Sequence, residues 1–257
     1  MTKRWYVSAV LVLGTAMVVT PVTVRSGAAP ALHTATLMQH KGASNIQQAS
    51  NWSGYDETSS KSTYSSVGGS WTVPRVTSTS GNSYSASWIG IDGANNLHLI
   101  QTGTESDWTG GSAHYDAWWE ILPAPETVIP RLIVTPGNAM TASITKGSSK
   151  WTITITDTTT GQSFSIHKSY GGPAESIEWI VERPQVGGHL ATLAKYGKVT
   201  FSTATVNGAN PAFQASDEIE MLNNAGTKVI STPGAPSSAR NAFTVAYGSK
   251  APPPPSG

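Results

Sequence analysis

Two polar side chains stand inside apolar, β-branched runs that have no local use for them. One is Gln101 in Leu99-Ile100-Gln101-Thr102-Gly103. The other is Glu178 in Ile177-Glu178-Trp179-Ile180-Val181-Glu182. Burying an unpaired amide or carboxylate is costly, so such placement marks groups that are used. The pair suits hydrolysis by an activated water. An ionised Glu178 takes a proton from water and returns it to a leaving amine. The neutral Gln101 amide donates an N–H to the tetrahedral oxyanion, an interaction of ~3–4 kcal/mol. No covalent intermediate is required, and the amide stays uncharged at low pH.

Other acids and tryptophans fall in similar runs. Asp92 ends Trp88-Ile89-Gly90-Ile91-Asp92-Gly93, and Asp116 and Glu120 flank the tryptophans of Tyr115-Asp116-Ala117-Trp118-Trp119-Glu120. With the period of two that an extended chain imposes, Trp88, Gly90 and Asp92 share a face, with Ile89 and Ile91 opposite. Asp116, Trp118 and Glu120 share a face, as do Leu99 and Gln101, and as do Glu178, Ile180 and Glu182. A sheet surface of carboxylates, one amide and large aromatics reads as a binding cleft. Within it Asp116 and Glu120 read as supporting groups, and Glu182 as a cleft residue or an exposed partner of Arg183. Crowded carboxylates raise one another's pKa, which favours work at acidic pH.

The elements that must position these groups are strands. From Asn51 onward, short runs alternate with turn signals: 67–73, 85–91, 97–102, 114–121, 131–135, 140–145, a hairpin through the 157–161 turn, 176–182, 199–206, 218–222, 228–231 and 242–247. Only 188–196 invites a short helix. Many strands without interleaved helices predict an antiparallel sandwich or barrel.

Lys3 and Arg4 precede an apolar run to Val24, followed by Ser26-Gly27-Ala28-Ala29. This predicts a secretory signal peptide over 1–29, a leader or flexible arm over 30–50, a catalytic domain over 51–248 and a stiff Pro-rich tail over 249–257. The expected location is extracellular, with no membrane attachment after cleavage. Asn51-Trp52-Ser53 fits a glycosylation acceptor.

The chain of 257 residues has no cysteine, which excludes disulfides, thiolate metal sites and a cysteine nucleophile. Net charge is +1 and 12% of residues are charged, with no basic run, which argues against nucleic acid as a partner. The histidines are scattered and there is no H-E-x-x-H or G-x-S-x-G motif, so no metal or cofactor is expected. His98 and His114 read as strand-surface residues.

The Gln101 and Glu178 segments, with Trp88-Ile89-Gly90-Ile91-Asp92-Gly93, Tyr115-Asp116-Ala117-Trp118 and Asn51-Trp52-Ser53-Gly54, resemble the glutamic peptidases, the eqolisins. The resemblance covers about 51–207. It implies two packed antiparallel sheets of the concanavalin A-like or jelly-roll type with a substrate groove. It also implies acid endopeptidase activity on proteins or peptides, with Gln101 and Glu178 catalytic and Trp88, Asp92, Asp116, Trp118 and Glu120 lining or supporting the cleft. The chain departs from the family's common pattern at Glu105, Trp119 and Arg183. A monomer is expected. Two other readings of the same residues stay open: a glycosidase using Glu120 and Glu178, and a lectin-like module stacking sugars on the tryptophans.

Overall fold

In the computed structural model, residues 36–40, 46–61 and 63–256 are described. The expected signal peptide over 1–29 lies outside them. The described residues form β1 (Gln47–Ala49), β2 (Trp52–Thr58), β3 (Ser66–Thr72), β4 (Ala86–Ile91), β5 (Ile100–Thr109), β6 (Ser112–Ile121), β7 (Thr127–Val128), β8 (Ala139–Lys146) and β9 (Trp151–Asp157). There follow β10 (Gln162–Lys168), β11 (Ser176–Glu182), β12 (Gln185–Val186), β13 (His189–Leu190), β14 (Lys198–Val206), β15 (Glu218–Leu222), β16 (Val229–Pro233) and β17 (Phe243–Tyr247). A single 3-10 turn, Ala215–Asp217, completes the set, and there is no α-helix among the described residues.

The strands pair antiparallel in the order β10-β9-β8-β3-β14-β17-β16-β15-β2-β11-β4-β5-β6-β7, with β1 added parallel to β15. The path folds back on itself as two layers. One holds β10-β9-β8-β3-β14-β17 and the other β2-β11-β4-β5-β6-β7, with β16 and β15 at the fold-back. Between them lies a core of inward-facing alternate residues, including Ile153 and Ile155 of β9, Ile144 of β8, Phe201 of β14, Ile89 and Ile91 of β4, and Ile177, Trp179 and Val181 of β11. Trp71 Nε1 donates across the layers to Thr104 Oγ1 (2.9 Å), and Trp179 Nε1 to Gly68 O (2.9 Å). The second contact needs a bare backbone beside it, since a Cβ on Gly69 would stand 2.9 Å from Trp179 Nε1. This is the antiparallel β-sandwich that the resemblance implies, one of the two architectures the strand pattern predicts.

Three local expectations fail. Residues 188–196 form no helix: Gly187 and Gly188 take positive φ, and Ala194 N donates to Tyr84 O (3.0 Å) while Tyr84 N donates to Thr192 O (2.8 Å). The segment is held extended along 77–84, with His189–Leu190 as a short strand. Residues 131–135 form a turn rather than a strand, with Leu132 N bonded to Ile129 O (3.0 Å) and Thr135 N to Asn138 Oδ1 (2.5 Å). Burial of Leu132 and Val134 imitates a strand's alternation there. The strand expected at Leu97 begins at Ile100. Leu97 is 81% exposed, on the loop between β4 and β5.

Candidate active site

Register brings polar residues of four strands, with a glycine of a fifth, into one row. Across the sheet, Asp56 of β2 pairs with Glu178 of β11, Glu178 with Gly90 of β4, Gly90 with Gln101 of β5, and Gln101 with Glu120 of β6. Paired residues in an antiparallel sheet project from the same face. Glu178 and Gln101 therefore stand on one face, two strands apart, about 9.6 Å at ~4.8 Å per strand. Gly90 separates them and adds no side chain of its own; Trp88 Cζ3 (2.8 Å) and Leu99 Cδ1 (3.2 Å) border the place a Cβ would take there. The next row on this face is Ile180-Trp88-Gly103-Trp118, and the one beyond it Glu182-Ala86-Glu105-Asp116. The shared faces read from the sequence are thus one continuous surface, turned away from the main core. Its apolar members form a second cluster that includes Trp52, Trp88, Trp118, Leu99 and Ile180.

Each supporting group has a definite task. Gln101 Nε2 donates to Glu120 Oε2 (2.8 Å). A carboxylate only accepts, so this contact fixes which end of the amide is nitrogen and leaves the second N–H free for another acceptor. Glu182 is 1% exposed, and its Oε2 accepts from Trp88 Nε1 (2.9 Å). Glu182 is therefore buried on this face rather than an exposed partner of Arg183, which donates from Nη2 to Asn224 Oδ1 (2.8 Å) and to Ser50 O. The orientation of Trp88 depends on Gly90, because a Cβ there would meet Trp88 Cζ3 at 2.8 Å. Trp52 meets Trp88 edge to face at 5.0 Å.

Asp92 spends its carboxylate on the loops at the end of β4. Its Oδ1 accepts from Asn96 Nδ2 (2.8 Å) and Glu175 N (2.9 Å), and its Oδ2 from Tyr170 OH (2.6 Å) and Ala174 N (2.9 Å). The carboxylate ties the loop after β4 to the segment leading into β11, at the cost of a left-handed backbone (φ 71°) that aspartate tolerates better than most residues. Asp116 is half-buried at the far end of the face. His114 lies on β6 and bonds Ser112 Oγ and Thr109 O, while His98 is exposed just ahead of β5.

Glu178 and Gln101 are both 0% exposed. Gln101 Oε1 and both oxygens of Glu178 lack a hydrogen-bond partner among the described residues. Burial holds the Glu178 carboxyl well above the usual carboxylate range; a nearby Ser176 hydroxyl acts against this, and the charges of Asp56 and Asp92 add to it. Asp56 was not legible as a site residue. It is 1% exposed, and burial pushes it from an ordinary 3.8 up to about 7, against the bond it accepts from Gln47 Nε2 (2.7 Å). Its one sequence signal is a shared face with Trp52 and Gly54, which gains meaning only when β2 is set beside β11. No group of three or more His, Cys, Asp or Glu among the described residues is placed to hold a metal ion.

A profile of the peptidase A4 family matches residues 50–247. The chain is 28% identical over 212 residues to Aspergillopepsin-2 of Aspergillus niger, covering 72% of this chain and 74% of that protein. Its fold is similar to a crystal structure of scytalido-glutamic peptidase with a transition state analog inhibitor, at a TM-score of 0.65 and 22% identity, covering 77% of this chain and 98% of that one. It is also similar to aspergilloglutamic peptidase from Aspergillus niger, at a TM-score of 0.54 and 26% identity over 64% of this chain and 99% of that one. The chain belongs to the peptidase A4 family, the eqolisins, and is a glutamic endopeptidase acting on proteins or peptides.

Proposed function

We propose that the chain is a secreted, monomeric acid endopeptidase in which Glu178 is the general base and Gln101 the oxyanion donor. The observation that carries this reading is the row Glu178-Gly90-Gln101. It sets a carboxylate and an amide on one face, with a residue between them that adds no side chain of its own. A scissile carbonyl between them has Glu178 on one side, to deprotonate an attacking water, and the free N–H of Gln101 on the other, to receive the oxyanion. Glu178 then returns the proton to the leaving amine. Glu120 holds one N–H of the amide, and Glu182 holds the Trp88 indole as one wall.

Glu178 must ionise to act. Desolvation is the largest cause of its raised pKa, so water admitted with substrate brings it back toward the ordinary range. An acid working range fits the neighbours. Asp56, Glu57 and Glu218 are each raised to about 7, mainly by burial, and their ionisation as pH climbs to neutrality works against the fold. A glycosidase built on Glu120 and Glu178 fits less well. These residues are three strands apart, about 14 Å, where paired glycosidase carboxyls need ~5–9.5 Å, and Glu120 is engaged by Gln101. Digestion of a denatured protein across pH 2–7 with peptide mapping tests the proposal. Internal cleavage at acid pH, lost in Glu178→Gln, is the expected result; intact substrate throughout overturns it.

A further inference from the structure

Glu178 has a second buried carboxyl beside it. Asp56 of β2 is its register partner across the β2–β11 pair. Paired residues of an antiparallel sheet stand about 4.5–5.5 Å apart at Cα and project from one face. The two carboxyls are therefore neighbours, within reach of a direct hydrogen bond or of one bridging water. Asp56 is 1% exposed and Glu178 0%. Gln47 Nε2 donates to Asp56 Oδ1 (2.7 Å). Asp56 Oδ2 has no hydrogen-bond partner among the described residues, and neither has either oxygen of Glu178. Carboxylates only accept, so two ionised ones here repel. With one proton between them, Asp56 Oδ2 donates and Glu178 accepts, which satisfies atoms that burial otherwise leaves orphaned.

The surroundings favour that single proton. The charges that bear on the pair are acidic: Glu57 and Asp217 on Asp56, and Asp92 on Glu178. The hydroxyls of Tyr64 and Tyr170 also lie in the field of Glu178. No basic group is among them to offset full ionisation of the pair. Burial pushes Asp56 up to about 7, which keeps a proton there through the acid range. Asp56 also lines a cavity of about 430 Å³, together with Gln47, Glu57, Tyr64, Gln214 and Ser216. Gln214 and Ser216 are exposed, so this cavity meets solvent, and it has room for several waters.

We infer that Asp56 is a positioning residue for the base: its carboxyl shares one proton with Glu178, the pair works as a monoanion, and the cavity on the Asp56 side exchanges that proton with solvent. The inference rests on the peptidase reading for its consequence and on the β2–β11 register for its geometry. The donated hydrogen bond lowers the pH at which Glu178 first ionises and so offsets part of its burial. In each turnover Glu178 takes a proton from water and gives it to the leaving amine, and the shared proton is not consumed. Its loss toward neutrality removes the donor and adds a second negative charge, which opposes the developing oxyanion. The two apparent pKa values belong to the pair and to neither residue alone.

The test reads Glu178 directly. Carbon-13 NMR of protein labelled at the glutamate carboxyls is followed from pH 2 to 8, with the Glu178 signal assigned by its loss in Glu178→Gln. The parent is expected to show two inflections and Asp56→Asn one. In Asp56→Leu, which lacks the donor, the Glu178 midpoint should rise by about one to two pH units, the size of a hydrogen bond to a charged group. With a fluorogenic peptide at pH 4, Asp56→Leu should lose about tenfold or more in kcat, with KM within about threefold. In Asp56→Asn the amide nitrogen takes the place of Oδ2 and still donates. This variant should recover most of that loss and hold its activity about one pH unit further toward neutrality. A Glu178 midpoint that is unchanged or lower in Asp56→Leu, or a basic limb that does not move in Asp56→Asn, overturns the shared proton. If Asp56→Leu does not fold, the Asp56→Asn arm decides alone. A parent that hydrolyses no peptide at pH 2–7 yet shows both inflections overturns the peptidase reading and keeps the pair.

Discussion

Replacing Asp56 with asparagine isolates the electrostatic cost of this cleft. The substitution keeps the shape and the oxygen that accepts from Gln47 Nε2 at 2.7 Å, and removes the charge beside Glu178. Burial raises Asp56 from 3.8 to about 7. Below about pH 4 it is protonated in both folded and unfolded chains and contributes no pH dependence. Between about pH 4 and 7 the folded protein retains a proton that the unfolded chain has released. Stability therefore falls as pH rises through that window and levels off above it. At ~1.4 kcal/mol per pH unit, the move from 3.8 to about 7 is worth about 4 kcal/mol at most. An asparagine side chain cannot ionise, so Asp56→Asn should match the parent at pH 3 and exceed it by up to about 4 kcal/mol at pH 7.5 in urea unfolding. Glu57 and Glu218 leave some residual pH dependence in the variant. A variant whose stability difference from the parent is the same at pH 3 and 7.5 would refute the reasoning.

Four further outcomes are expected. Glu178→Gln should abolish peptide hydrolysis yet unfold at higher urea than the parent near neutrality, since a buried group with a raised pKa costs stability once ionised; equal midpoints at pH 7 contradict this. Gln101→Ala should lose ~10²–10³ in kcat, and Gln101→Glu should be no better because a carboxylate repels the oxyanion; near-parental turnover in a folded Gln101→Ala protein rules out its role. Asp92→Asn should lower stability by about 2–3 kcal/mol in thermal unfolding, because an amide placed at either oxygen turns a donor toward Ala174 N or Glu175 N. Gly90→Ala should push Trp88 off the gap, costing about 1–3 kcal/mol and raising KM in steady-state kinetics.

The sequence alone determined which residues share a surface. Period-two alternation is a local property of an extended chain, so the faces of 88–92, 99–101, 116–120 and 178–182 were readable without knowing any neighbour. The oddity of Gln101 and Glu178 in apolar runs was readable for the same reason. Where local signals were ambiguous, at 131–135 and 188–196, tertiary partners decided: a turn capped by Asn138 in one case, backbone pairing to Tyr84 in the other. The order of strands was not readable. Asp56 and Glu178 are far apart in the chain, and only the pairing of β2 with β11 makes them neighbours, whose burial then sets their proton affinities. Asn51 likewise looks like a surface tripeptide until the fold buries it against residues 36–39. Strand partnership and burial depend on long-range packing of the whole sandwich, which no window of sequence contains.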